Sequence, residues 1–162
     1  LRRAYYEVRY GQLHLHNAIP AGGGFDELTP MVCVHGTGMT GRVFQAMLAE
    51  LGFDRSIYAL DLPGTGESDP APGVPAVEAA LAVLQDFLDT MRLREVDVVA
   101  IGDGASVARQ LAVLRPRNVR RVVLIAEPAG QAPARLAQPL LAIGADEADG
   151  PRRNARVSEF LA

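Results

Sequence analysis

Apolar residues recur along this chain at two spacings, near two in short runs and near 3.6 in longer ones, and their alternation predicts the architecture. The opening stretch YYEVRYGQLHLHNAI alternates as an antiparallel hairpin does, with its turn near Gly11. The Gly-rich run Ala21 to Gly24 predicts a turn leading to Pro30, and Met31 to Val34 then reads as a buried strand. A helix is expected from about Thr40 to Leu51, followed by a short strand over Ser56 to Asp61. Asp69 to Val74 reads as a surface loop, and Pro75 suits the first turn of the next helix. From Ala76 to Arg92, the positions Val77, Ala80, Leu81, Leu84, Leu88 and Met91 trace the face of a helix packed on a sheet. Val96 to Ile101 predicts another buried strand, with an Ala-rich helix after it ending near Arg115 and Pro116. Arg121 to Ile125 reads as a strand, and a Pro/Gly/Ala-rich connection leads to a last one over Pro139 to Ile143. The tail, GPRRNARVSEFLA, is expected to hold one more short strand or a terminal helical turn.

Strands alternating with helices imply βαβ units, hence an α/β domain of three layers with a mostly parallel sheet and an antiparallel start. The 162 residues are expected to form a single domain, residues 1–162, without internal repeat or low-complexity tract. Hydrophobic residues make up 49% and the mean hydropathy is slightly positive, so a packed core is expected. A net charge of −3 gives no electrostatic reason to expect a nucleic-acid partner. All 16 basic residues are arginine, which excludes Schiff-base lysine chemistry and a phosphate-loop lysine. Cys33 lies inside an apolar run and is expected to be an inert core residue. No apolar run suggests a membrane span and no charged-then-apolar segment opens the chain, so no membrane partner and a cytoplasmic location are expected. Because it begins with Leu1, the chain is expected to be a processed product or a fragment.

Three segments carry candidate chemistry. VDVVAIGDGASVARQLA, from Val96, is a strand–turn–helix junction whose tight turn uses Gly102 and Gly104. VCVHGTG places His35, Gly36, Thr37 and Gly38 after a strand, and ALDLPGTGESDP runs from Ala59 to Pro70. A second pattern overlaps these. Gly36, Gly38 and Gly41 form G-x-G-x-x-G between strand and helix, and Asp61 ends the next strand, which is the fingerprint of a dinucleotide-binding domain. His14 and His16 share one face of the hairpin, but no carboxylate or further His marks the rest of a metal site, so no metal is expected.

Together the three segments resemble the α/β-hydrolase superfamily, continuously from about Leu13 to Ile125. DLPGTGES fits that family's D-x-P-G-x-G-x-S signature residue for residue. The resemblance implies a nucleophile elbow whose reactive slot falls on Gly102, and an oxyanion hole made by the backbone amides of Thr37, in the His35-Gly36 turn, and Asp103. Gly102 offers no side chain. Asp103 is the least distant reactive group, one position out of register with the family's aspartate nucleophiles; its alternative is a helix N-terminal carboxylate. Ser106 satisfies G-x-S-x-A as a bare pattern but falls too late for the elbow, where a helix-facing hydroxyl is the alternative. Asp146 matches the position after a late strand where the family places its acid, against a solvated loop carboxylate. No His follows His35, so the family's late base is missing, and the lid and late elements are shortened.

The resemblance therefore implies a hydrolase of an ester or related bond whose activity is weak or lost. It equally implies a non-catalytic relative, or a fragment of an active enzyme, holding a small apolar or ester-like molecule or a partner. Its pocket is expected to be bounded by His35, Thr37, Met39 and Asp103, with no cofactor. The dinucleotide reading stays open beside both. Shortening is also expected to expose apolar surface and favour self-association.

Overall fold

The computed structural model describes residues 1–22, 27–130 and 135–162. Gly23 and Gly24 of the Gly-rich turn, and residues 131–134 of the connection before the last strand, lie outside the described residues.

Among the described residues, seven strands form one sheet in the order β1-β2-β4-β3-β5-β6-β7. Strands β1 (Arg2–Val8) and β2 (Gly11–Ala18) make the antiparallel hairpin, and β2 joins β4 (Ile57–Leu60) antiparallel as well. From there β4, β3 (Met31–Val34), β5 (Val96–Ile101), β6 (Val119–Ile125) and β7 (Leu140–Ile143) run parallel. This arrangement sets the site, because the carboxyl ends of five parallel strands line one edge of the sheet.

Alternation along β5 shows how the layers form. Val96, Val98 and Ala100 join a core with Leu84 and Phe87 of α2 (Ala76–Thr90) and Leu111 of α3 (Gly104–Leu114). Val99 and Ile101 face the opposite core, with Met47 and Leu48 of α1 (Gln45–Leu51) and Val157 and Leu161 of α4 (Pro151–Leu161). A strand buried on both faces must be apolar almost throughout, as β5 is. Its exception is Asp97, wholly buried at the amino end, where the Arg120 guanidinium grips it with two hydrogen bonds of 2.8 and 2.6 Å.

The hairpin turns at Arg9 and Tyr10, next to Gly11 as expected, with Gly11 opening β2. Several expectations need correction. The helix expected from Thr40 begins as a 3-10 turn over Gly41–Phe44, capped by the Thr40 hydroxyl, which accepts the Arg42 N–H at 3.3 Å; α-helix starts only at Gln45. Pro75 precedes α2 in an extended conformation rather than lying in its first turn. The tail forms neither a strand nor one turn but the 11-residue α4, whose apolar Val157 and Leu161 sit at i and i+4 and so share a buried face.

Candidate active site

At the carboxyl end of β5 the chain reverses through Gly102, whose φ of +59° is the left-handed conformation that L side chains adopt at a cost of about 1–2 kcal/mol. Its N–H donates to the Ile125 carbonyl of the neighbouring strand at 2.8 Å, fixing the elbow to the sheet. A Cβ added to Gly102 would meet only the Met39 methyl, at 3.9 Å. The slot is therefore sterically open.

Asp103 follows with its carboxylate folded back across the His35-Gly36-Thr37 turn. It accepts the Thr37 N–H and the Thr37 hydroxyl, each at 2.6 Å. The Thr37 hydroxyl, then the Thr37 amide and Asp103's own amide, hold this carboxyl below its ordinary pKa. Gly36 permits the approach, since a Cβ there would lie 2.5 Å from Asp103 Oδ1 and 3.1 Å from the Ile101 carbonyl. The Thr37 amide, expected as an oxyanion donor, thus points at the Asp103 carboxylate. A carboxylate beside an N–H group and a hydroxyl satisfies both without any ligand.

His35 is committed on both sides of its ring. Nδ1 faces the Gly36 carbonyl at 2.8 Å and is assigned the proton from that contact. Nε2 then accepts the Leu62 N–H at 3.1 Å, with the Thr65 hydroxyl also 3.1 Å away. Burial lowers its pKa, so the ring is neutral at pH 7. In this geometry His35 ties the turn after β3 to the turn after β4.

A pocket of about 190 Å³ opens beside these groups, between the turn after β3 and the first turns of α2 and α3. As expected, His35, Thr37 and Asp103 border it. Met39 does not, and the apolar wall comes from Leu62, Pro63, Val77, Ala80 and Val107. Val77, expected to pack on the sheet, is instead 38% exposed and forms part of the pocket wall. Gly102 does not line the pocket, although Asp103 and Gly104 do.

A carboxylate does join the histidine pair, against expectation. The β2–β4 pairing, Leu15 opposite Leu60, carries His14 and His16 up to Asp61. His14 Nδ1 lies 2.8 Å from Asp61 Oδ2, and His16 Nε2 lies 3.8 Å from Oδ1. Ligand atoms of the three residues fall within 4.8 Å of one another, the arrangement among the described residues that comes nearest to a metal site. Asp61 is, however, already engaged by the backbone N–H groups of Gly41 at 2.8 Å and Glu67 at 3.1 Å. Burial raises its pKa, but His14 and these two amides outweigh it and hold the group ionised. The same bonds overturn the dinucleotide reading. An Asp61 that is 2% exposed and already bonded by His14 and two backbone amides is closed off from ribose hydroxyls.

The remaining candidates stand apart from this cluster. Ser106 is the third residue of α3, with its Oγ accepting only from the Gln110 side chain at 3.2 Å. Asp146 is exposed three residues beyond β7, on the same sheet edge as Gly102. Sequence reasoning missed Glu127, just beyond β6, which takes a two-pronged bond from Arg109 of α3 at 2.7 and 2.9 Å. Among the described residues, no helix is long and apolar enough to cross a membrane.

Residues 31–162 match the sequence profile described as "Alpha/beta hydrolase family". The 2-hydroxy-6-oxo-2,4-heptadienoate hydrolase of Pseudomonas putida (strain F1) is 32% identical over 100 residues, covering 59% of this chain and 36% of that protein. The poly(3-hydroxyalkanoate) depolymerase of Ectopseudomonas oleovorans is 31% identical over 108 residues, 66% of this chain and 38% of that one. The chain thus spans well under half the length of these relatives. Among solved structures, the epoxide hydrolase CorEH superposes with a TM-score of 0.69 at 18% identity, over 81% of this chain and 46% of its own. A haloalkane dehalogenase DbeA variant from Bradyrhizobium elkanii gives 0.68 at 17% identity, over 76% and 39%. Likeness at such low identity concerns the fold alone.

Proposed function

The chain belongs to the alpha/beta hydrolase family, and from that membership we propose that its residues use the hydrolase scaffold to bind a small apolar molecule rather than to cleave one. The observation that carries this reading is the Asp103 carboxylate lodged on the Thr37 amide. Charge developing on a substrate oxygen at that place would meet a like charge. At about 4 Å such repulsion is roughly 1 kcal/mol in bulk water and about 4 kcal/mol at the effective dielectric of a protein surface. Stabilisation of an oxyanion therefore turns into opposition. The empty slot at Gly102 points the same way. The pocket beside Asp103 then has a use that does not require the slot.

Hydrolysis of an ester or related bond is the competing reading, supported by the hydrolase names of the relatives and by the reactive side chain of Asp103 next to the elbow. Turnover of a short-chain activated ester separates the two, measured on the purified chain beside Gly102→Ser, Asp103→Ala and Ser106→Ala. The binding reading expects no turnover above the uncatalysed rate in the parent and both alanine variants. Parent turnover that disappears with Asp103→Ala or Ser106→Ala overturns it in favour of an enzyme with a displaced reactive group.

A further inference from the structure

The pocket has an electrostatic character that neither the family nor the proposed binding role specifies. Among the described residues that line it, Asp103 is the one ionised group. None of them is an arginine, and the imidazole there, His35, is neutral with both ring nitrogens engaged. Asp61 lies close enough behind that its charge, like that of Asp103, acts on His35. The positive end of α3 opposes this field, but a helix terminus is equivalent to roughly half a charge, against a full one on Asp103. The balance in the pocket is negative.

Hydrogen bonding leads to the same conclusion. The Thr37 N–H and hydroxyl, donors that would otherwise receive a ligand carboxylate or ester oxygen, are consumed by Asp103. A carboxylate has about four lone-pair sites. Thr37 takes two, which leaves room for a donor arriving from the pocket. Behind that acceptor the walls are hydrocarbon, from Leu62, Val77, Ala80 and Val107.

Resting on the reading of this pocket as a binding site, we propose that its ligand is a small apolar ammonium, an alkyl- or arylamine whose cation pairs with Asp103 while its hydrocarbon body lies against Leu62, Val77 and Val107. A space of about 190 Å³ suits a body of about eight heavy atoms, since an apolar cavity of roughly 150 Å³ holds a benzene ring. Anions and oxyanions are disfavoured by the same carboxylate.

Calorimetric titration of the full chain at pH 7 and low salt tests this with three probes of one shape: benzylamine, benzyl alcohol and benzoate. Benzylamine is expected to bind about fivefold more tightly than benzyl alcohol, the upper range for a solvent-accessible ion pair, with benzoate weakest. In Asp103→Asn, and in the parent at high salt, the amine is expected to fall to the level of the alcohol. Val77→Trp, which fills the pocket mouth, is expected to weaken both. Equal binding of amine and alcohol by the parent, or a preference for benzoate, overturns the ammonium inference and leaves the binding site standing. Amine binding that survives Val77→Trp but not Asp103→Asn also overturns it, because the cation is then held outside the pocket. Failure of all three probes to bind the parent overturns the site itself. Circular dichroism of each variant confirms that it folds.

Discussion

Two corners of the same sheet edge are built from equally polar sequence and behave in opposite ways. At the β4 corner, the Asp61 carboxylate joins His14, Gly41 and Glu67, while the Ser68 hydroxyl donates to the Asp61 carbonyl at 2.6 Å. There the carboxylate, His14 and Ser68 are all buried. At the β5 corner, Gly102 presents an open slot, and Asp103 closes its cradle with an exposed carboxylate. The comparison shows that a recognisable motif need not be a reactive one. DLPGTGES is the most specific run in the sequence because folding a buried carboxylate demands fixed partners at fixed positions. The chemistry of an elbow, by contrast, turns on one side chain, and Gly102 lacks it.

If that contrast is right, the largest effect belongs to the buried corner. Asp61→Ala strands His14 and two amides without their acceptor and is expected to destabilise the fold by about 3 kcal/mol or more in denaturant unfolding. A loss below 1 kcal/mol would show the corner to be no more braced than the elbow.

Next comes Gly36→Ala, which joins the two corners. Its Cβ would press on the Ile101 backbone and displace the Asp103 carboxylate, at an expected cost of about 2 kcal/mol. The same variant is expected to lose the preference for benzylamine, a change that destabilisation alone does not produce.

Acid sharpens the comparison by titrating first the buried histidines and then the two carboxylates. Burial holds His16 and His35 below the usual imidazole pKa, so the unfolded chain takes up their protons first, from about pH 6.5 downward. Stability from this source is complete above that value and is lost as pH falls. Asp61 and Asp103 are held below the usual carboxylate value, so their contribution is present above about pH 3.9 and lost as pH falls through their folded pKa. Thermal melts are expected to decline in two stages on acidification. His35→Gln should shrink the first and leave the second; a single stage below pH 4 in the parent would show that the histidines do not contribute.

Ser106→Ala is expected to do almost nothing, within about 0.5 kcal/mol in stability and with unchanged probe binding. A larger change would return Ser106 to the site.

Much of the fold was legible because its elements are buried on both faces. The limits of Met31–Val34 and Val96–Ile101 are marked by runs of apolar residues that end at glycine or polar positions, and the structure keeps them. The tail was not legible. Arg152 and Arg153 obscure an apolar stripe of only Val157, Phe160 and Leu161, and α4 acquires its helix by packing on α1. The site was legible as a list of residues and illegible as an arrangement. His14 and His16 could be paired, but Asp61 reaches them only through the β2–β4 register, 47 residues from His14.

What the sequence determined by itself was local: a glycine at the reactive slot, glycine at position 36 for close approach, alternating periods that make strands and helices, and no histidine beyond position 35. Tertiary structure decided how the polar groups spend their hydrogen bonds. Both Asp61 and Asp103 are acids at strand ends, and nothing in their spacing distinguishes them. Strand pairing buries one against two amides and a histidine, and leaves the other exposed on the cradle beside an apolar pocket. The distinction arises because hydrogen-bond partners are set by distance in space, which sequence separation does not fix.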